Sequence, residues 1–207
     1  MVDTAGHWDG VFEAKALDEV SWFQAVPATS VRLLERWAPP GASVVDVGAG
    51  ASTLVDLLLR DGWEDVTLVD VSEAALAKVG ERLGAGPDGV PDGVTFVTAD
   101  VRSWEPGRSF DAWHDRASFH FLVDPVDRDR YVATAGRAVA PGGVVVLATF
   151  AADGPTQCSG LPTSRYGTAD LVAVFAPAFE LLHAEREEHT TPSGAVQPFS
   201  WVVLRRR

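Results

Sequence analysis

The nine residues from Val44 to Ser52, Val-Val-Asp-Val-Gly-Ala-Gly-Ala-Ser, restrict the possible folds of this chain more than any other stretch. An apolar run of strand length meets two glycines, and Leu54, Val55, Leu57 and Leu58 then follow at helical spacing. Glycine admits backbone conformations closed to other residues and lets another group approach the main chain, so Gly48, Ala49 and Gly50 predict a tight turn with room beside it. Unpaired amide N–H groups at the helix start face that turn. A strand, a glycine turn and a helix in this order predict a nucleotide-cofactor joint.

What is missing narrows the cofactor. A dinucleotide fingerprint places a third glycine three residues after the second, and Thr53 stands there. No Gly-Lys-Ser/Thr tripeptide is present to cradle phosphate. Asp46, inside the joint, would repel phosphate and suit a cation. S-adenosylmethionine carries an ammonium and a sulfonium and has no phosphate, which fits that acid.

Two further aspartates fall at strand ends. Val66-Thr67-Leu68-Val69 runs into Asp70, 24 residues beyond Asp46. A carboxylate at the end of a second strand, about 20 residues on, is where a ribose diol is gripped. Ser72 can cap the helix that follows, whose apolar positions Leu76, Val79 and Leu83 share a face. A third strand, Val94 to Ala99, ends in Asp100-Val101, suited to accept from an adenine amino group and to cover its ring. Any one of these acids alone reads as a solvated strand end or a helix cap; three at this spacing read as a site.

These residues resemble the class I S-adenosylmethionine-dependent methyltransferases, over nearly the whole chain. Asp46 to Ser52 looks like the family's glycine motif, with Ser52 where many members have another glycine. Asp70, with Val71 beside it, looks like the ribose-binding acid and Asp100 like the adenine-side acid, while Ala140-Pro141-Gly142-Gly143 and the following valines look like the late turn-and-strand motif. The stretch Asp111 to Ala117, followed by Asp124-Pro125 and Asp127-Arg128 through Tyr131, is similar to thiopurine and related thiol methyltransferases. The resemblance implies S-adenosyl-L-methionine as cofactor, S-adenosyl-L-homocysteine as product, and a Rossmann-like α/β fold. Its doubly wound, seven-stranded, mostly parallel sheet would have order 3-2-1-4-5-7-6, with strand seven antiparallel.

Composition agrees with an enzyme domain. The 207 residues fit one domain, with residues 1–40 a helical or lid segment and 41–207 the sheet core; chains of this size bury about 70% of their unfolded surface. No apolar run reaches membrane-span length and no secretion signal leads the chain, which predicts a cytoplasmic protein without membrane contact. The single cysteine, Cys158, cannot form an internal disulfide. A net charge of −12 opposes nucleic-acid binding, which depends on lysine and arginine neutralising phosphate.

Strand and helix signals alternate along the chain. A helix is expected from Val31 to Trp37, an exposed connection over 84–93, and strands at Asp111–His114, Val144–Phe150, Phe179–Ala184 and Phe199–Leu204, with a helix near Ala169–Phe175. His189, Thr190, Thr191 and Gln197 are expected in a connection outside the sheet.

Ligands of open α/β sheets sit beyond the carboxyl ends of the strands. The end of strand four, Trp113-His114-Asp115-Arg116, should therefore meet the methyl-donor end of the cofactor. His114 is a candidate base, or else a buried histidine bonded to its surroundings. Asp115 is a second candidate for the chemistry, or an ion-pair partner for Arg116. Trp22, Arg116, His120 and Tyr166 are candidate substrate contacts, the first as part of a lid and the last beside a loop at 154–162. No metal site is expected, because His114 and Asp115 would point to opposite sides of a strand and could not share an ion with His120. The expected reaction is methyl transfer to a small-molecule acceptor, with a thiol or other soft heteroatom favoured. A protein lysine methyltransferase, a non-catalytic cofactor-binding module and a nicotinamide oxidoreductase are the alternatives.

Overall fold

The computed structural model describes residues 4–84 and 90–207, so positions 85–89 of the expected connection lie outside the described residues. Seven strands form one sheet: β1 (Val44–Val47), β2 (Val66–Asp70), β3 (Val94–Thr98), β4 (Phe110–Arg116), β5 (Val139–Phe150), β6 (Phe179–Thr190) and β7 (Val196–Arg206). Their order is β3-β2-β1-β4-β5-β7-β6. The first five are parallel to one another, and β7 inserts antiparallel between β5 and β6. This is the architecture expected from the resemblance. A separate two-stranded ribbon pairs Gln157–Cys158 with Leu161–Pro162.

Two apolar layers flank the sheet because successive strand residues face opposite sides. Along β5, Val144, Val146 and Ala148 pack with Leu33 and Leu34 of α2 (Ala28–Trp37) and Leu54, Val55 and Leu58 of α3 (Leu54–Arg60). Leu76 and Val79 of α4 (Glu73–Arg82) join the same layer. Val145 and Leu147 face the other way, toward Tyr131 and Ala135 of α5 (Pro125–Ala138) and Leu171 and Phe175 of α6 (Thr168–Phe175). Ser72 caps α4 as the sequence suggests, accepting from the Ala75 N–H at 3.1 Å.

The strand ends differ from expectation most at β6 and β7. β6 continues to Thr190 and β7 starts at Val196, with His189 opposite Gln197, so these residues belong to the sheet and the connection shrinks to a turn. The turn is closed by Thr191 N–H donating to the Ala195 carbonyl and Gly194 N–H donating to that of Thr191, both at 2.8 Å. The run Glu185-Arg186-Glu187-Glu188 obscures the strand in the sequence: Arg186 and Glu188 lie on the exposed face of this edge strand, while Glu185 and Glu187, on the other face, are taken up by Arg32, Gln24 and Trp201.

The amino-terminal segment forms α1 (Thr4–Ala14), which lies against α4 rather than in either main layer. Asp9 makes the junction, accepting from the Ser72 hydroxyl at 2.7 Å and the Ala74 N–H at 3.2 Å. Lys78 of α4 donates back to the Phe12 and Lys15 carbonyls. Among the described residues no helix is long and apolar enough to cross a membrane.

Candidate functional site

A cavity of about 460 Å³ opens where β1, β2, β3 and β4 end, and α1 roofs it. Its floor is the turn after β1. Gly48 and Gly50 both take positive φ, 63° and 54°. At Gly48 a Cβ would lie 2.3 Å from the Ser118 Cβ, and at Gly50 it would meet the Phe12 ring at 3.0 Å. The glycines thus satisfy a left-handed backbone and two close approaches at once, one from the loop after β4 and one from the roof.

Asp46, Asp70 and Asp100 all line the cavity, as the sequence suggests. The Asp46 carboxylate meets His114 Nδ1 at 2.7 Å, because the parallel register sets these residues side by side. Asp70 accepts from the Gly50 N–H at 2.7 Å through one oxygen and from the Ser72 N–H at 2.8 Å through the other. Burial pushes its pKa up to about 6, against the lowering effect of those two bonds. Each carboxylate oxygen can accept more than one hydrogen bond, so capacity for two hydroxyl donors remains. Asp100 is gripped by the Arg102 guanidinium, with Nε at 2.9 Å, and Arg102 also reaches Asp127 at 2.8 Å. Those hydrogen bonds hold the Asp100 carboxyl below the ordinary range. Arg102 is a cavity residue that sequence reasoning missed, although its place two residues after a strand-end acid is a usable signal.

His114 lines the cavity but has both ring nitrogens engaged, Nδ1 with Asp46 and Nε2 with the Ser30 hydroxyl at 2.9 Å. Ser30 comes from α2 and had no distinguishing mark in the sequence. Asp115 points to the opposite face, as alternation along a strand requires, and does not line the cavity. It is fully buried and accepts from the Tyr131 hydroxyl at 2.6 Å and from the Ser118 and Phe119 N–H groups at 3.0 and 3.1 Å. Tyr131 in turn accepts from Trp113 Nε1 at 2.9 Å. Asp115 therefore anchors the loop after β4 from beneath. The expected pair between it and Arg116 does not form, since the two side chains leave opposite faces of the sheet.

Arg116 and Trp22 both line the cavity, whereas His120 and Tyr166 do not. His120 is buried in a short helical turn, Phe119–Phe121, stacked 4.3 Å from the Phe150 ring and accepting the Phe150 N–H through Nδ1. Burial, with the nearby Arg116 charge, pushes its pKa down to about 3. Tyr166 packs in the layer of α5 and α6 beside Phe119. Cys158 reaches the cavity wall, and burial pushes its thiol pKa up, which makes it a poor nucleophile. The roof is aromatic: Trp8 stands edge-on to Trp22 at 5.8 Å and to Phe121 at 5.0 Å, and Phe12 to Trp22 at 6.3 Å.

A parallel sheet with its strand reversal at β1, a glycine turn there and acids at three successive strand ends define a Rossmann-like protein built around a nucleoside cofactor. The acid inside the turn and the spare acceptor capacity at Asp70 fit a cationic cofactor with a ribose. A model of the methyltransferase domain family matches residues 44–143. That match, over the stretch that holds the glycine turn and the three acids, supports a class I S-adenosylmethionine-dependent methyltransferase with S-adenosylmethionine as its cofactor.

Among curated proteins, it is 26% identical over 156 residues to thiocyanate methyltransferase 1 of Arabidopsis thaliana, covering 75% of this chain and 65% of that one. It is 22% identical over 147 residues to the mouse eEF1A lysine and N-terminal methyltransferase, covering 68% of this chain. The match spans only 20% of the mouse protein's length. Among solved structures, an S-adenosylmethionine-dependent methyltransferase from Anabaena variabilis superimposes with a TM-score of 0.76 at 18% identity, over 100% of this chain and 96% of that one. The N-methyltransferase NodS from Bradyrhizobium japonicum, solved with S-adenosyl-L-homocysteine, gives 0.71 at 13% identity over 97% and 98%.

Proposed function

We propose that this chain transfers a methyl group from S-adenosylmethionine to a small-molecule acceptor, by in-line displacement at a soft heteroatom such as a thiol sulfur. When bound, the cofactor supplies a methyl group on a sulfonium, an already activated leaving group. The chain's own task is then to bind, align and keep water out; such positioning supplies about 7–11 kcal/mol. In this reading Asp70 takes the ribose hydroxyls and Asp100, set by Arg102, lies at the adenine side with Val71 and Val101. Asp46 takes the ammonium, while Gly48, Ala49, Gly50 and Ser52 form the floor. His114, tied to Asp46 and Ser30, orients that acid.

The observation that carries the small-molecule reading is the roof. Trp8, Phe12, Trp22 and Phe121 cover the methyl-donor side, so an acceptor must fit beneath α1. The thiocyanate methyltransferase among the relatives acts, by its name, on a small anion. A protein lysine acceptor is the second reading, favoured by the similarity to the mouse eEF1A enzyme and by an acidic chain that would attract a cationic side chain.

Incubating the purified protein with radiolabelled S-adenosylmethionine and a cell extract, then separating products by size, tests the choice. Label in the small-molecule fraction is expected. Label confined to protein bands would replace the reading with lysine methylation. Cofactor binding without any labelled product would leave a non-catalytic module.

A further inference from the structure

Among the described residues that line the cavity, Arg116 is the one with buried polar atoms that lack a partner. It is partly buried, and of its three guanidinium nitrogens only Nη1 has a hydrogen-bond partner, the Trp22 carbonyl at 2.9 Å. Nε and Nη2 are shielded from solvent and have none. The planar face of the group is occupied, since its Cζ lies 4.7 Å from the centroid of the Phe199 ring. Contact with a ring uses the face and leaves the in-plane N–H groups free. The vacant edge, Nε with Nη2, is a fork that matches the two oxygens of a carboxylate.

The surroundings explain why the edge is not already filled. Glu187 is the carboxylate whose charge Arg116 feels, but its oxygens are held by Gln24 Nε2 at 2.9 Å and Trp201 Nε1 at 2.7 Å. Asp115, next in sequence, faces the other side of the sheet. His120, close enough for its titration to be depressed by Arg116, also lacks a partner at Nε2. Its Nδ1 accepts from the Phe150 N–H, so the neutral ring carries its proton on Nε2 and presents a further donor. His189 donates from Nε2 to the Ser21 carbonyl at 2.8 Å, which uses its proton and leaves no further donor there. Three buried N–H groups here, Arg116 Nε and Nη2 and His120 Nε2, lack an acceptor. A buried charge without a partner is costly to a fold, and a ligand that pairs with it recovers that cost.

Resting on the methyltransferase reading, we infer that the acceptor carries a carboxylate group, held bidentately by the Nε and Nη2 edge of Arg116 at the end of β4. A carboxylate paired with a guanidinium in this way has its charge drawn toward the two N–H donors, which lowers the nucleophilicity of its oxygens. The methyl group therefore goes to another atom of the acceptor, and the carboxylate is the handle by which that atom is aligned.

The test uses protein saturated with S-adenosylhomocysteine, titrated with matched pairs of small carboxylates and their neutral amides: acetate and acetamide, benzoate and benzamide, mercaptoacetate and mercaptoacetamide. Calorimetry is expected to give at least one carboxylate that binds ten-fold or more tighter than its amide. Arg116→Gln should abolish that preference. Arg116→Lys, which keeps the charge and loses the fork, should leave only a fraction of it. Both variants should still bind S-adenosylhomocysteine to saturation and unfold cooperatively in urea, which shows that they fold and keeps this test separate from the cofactor assignment. If no carboxylate outbinds its amide, or if the preference survives Arg116→Gln, the inference is wrong. Failure of S-adenosylhomocysteine to bind the unaltered protein would instead strike the methyltransferase reading.

Discussion

At the scale of single residues, Asp70 is the side chain on which cofactor binding should depend most visibly. Its carboxylate ties the glycine turn to the start of α4 through Gly50 and Ser72, and its spare lone pairs face the cavity. Replacing it with alanine should weaken S-adenosylmethionine binding by about 1.5–3 kcal/mol, the scale of hydrogen bonds to a charged group. Isothermal titration would read this directly, and unchanged affinity would refute the ribose assignment. The sign of the pH effect follows from burial, which pushes the pKa to about 6. Below that value the free protein holds a neutral acid there and is relieved of a desolvated charge, so Asp70 favours folding more as pH falls through 6. The ribose hydroxyls need the ionised form, so cofactor affinity runs the other way. At pH 5 only roughly a tenth of the group is ionised, and affinity should drop about tenfold relative to pH 7.5. Asp70→Asn should remove that dependence. The acids themselves were legible in the sequence because each ends a strand, and strand ends fix position by local pattern alone. What engages them was less so: the Ser30 partner of His114 comes from α2, 84 residues away in sequence, and nothing local marks it.

At the scale of elements, β4 is clamped from below and α1 from the side, and the two clamps should separate by their readouts. Removing the Tyr131 hydroxyl by Tyr131→Phe takes the donor from Asp115 and the acceptor from Trp113, both fully buried. Leaving buried polar groups unpaired costs about 1–3 kcal/mol. Urea unfolding should show a loss of that order, with cofactor affinity nearly unchanged because neither Tyr131 nor Asp115 lines the cavity. Asp9→Ala acts on the other clamp. Its carboxylate satisfies the Ala74 N–H at the start of α4 and the Ser72 hydroxyl, so its loss should cost about 1 kcal/mol, as for a helix cap. Amide exchange over Thr4–Ala14 should quicken with it. The parallel strands were legible as elements because each is a short apolar run followed by a turn signal. β6 was cut short because charged residues interrupt its hydrophobic pattern, and α1 was read only as part of a helical or lid segment because its aromatics roof a cavity and do not pack as a periodic core. The side on which Asp115 falls did follow from alternation, but its partners did not, since Tyr131 reaches it from the middle of α5.

At the scale of the whole molecule, the cofactor site joins one sheet to a roof helix that is fastened apart from it. Its floor belongs to the turn between β1 and α3, its walls to the ends of β2, β3 and β4, and its roof to α1, which is fastened mainly through α4. A ligand bound only by the folded protein raises stability by RT ln(1 + [L]/Kd), about 2.7 kcal/mol at a hundredfold excess over Kd. S-adenosylhomocysteine at that excess should stabilise the protein against urea by this amount, while NAD at equal concentration should not, because Thr53 and Asp46 leave the turn unsuited to a pyrophosphate. The distribution of the gain is the sharper expectation. Trp8 and Phe12 contact both the cavity and their aromatic neighbours, so a filled cavity should slow exchange in α1 beyond what global stabilisation accounts for. The β6–β7 hairpin turn, at the sheet edge far in order from β1 and β2, should slow no more than the global gain allows. Equal slowing at the two places would mean that α1 already folds with the core and does not act as a cover. Slowing confined to α1, without the global gain, would mean that ligand orders the roof by paying for it from its own affinity, and Asp9→Ala would then weaken cofactor binding in proportion.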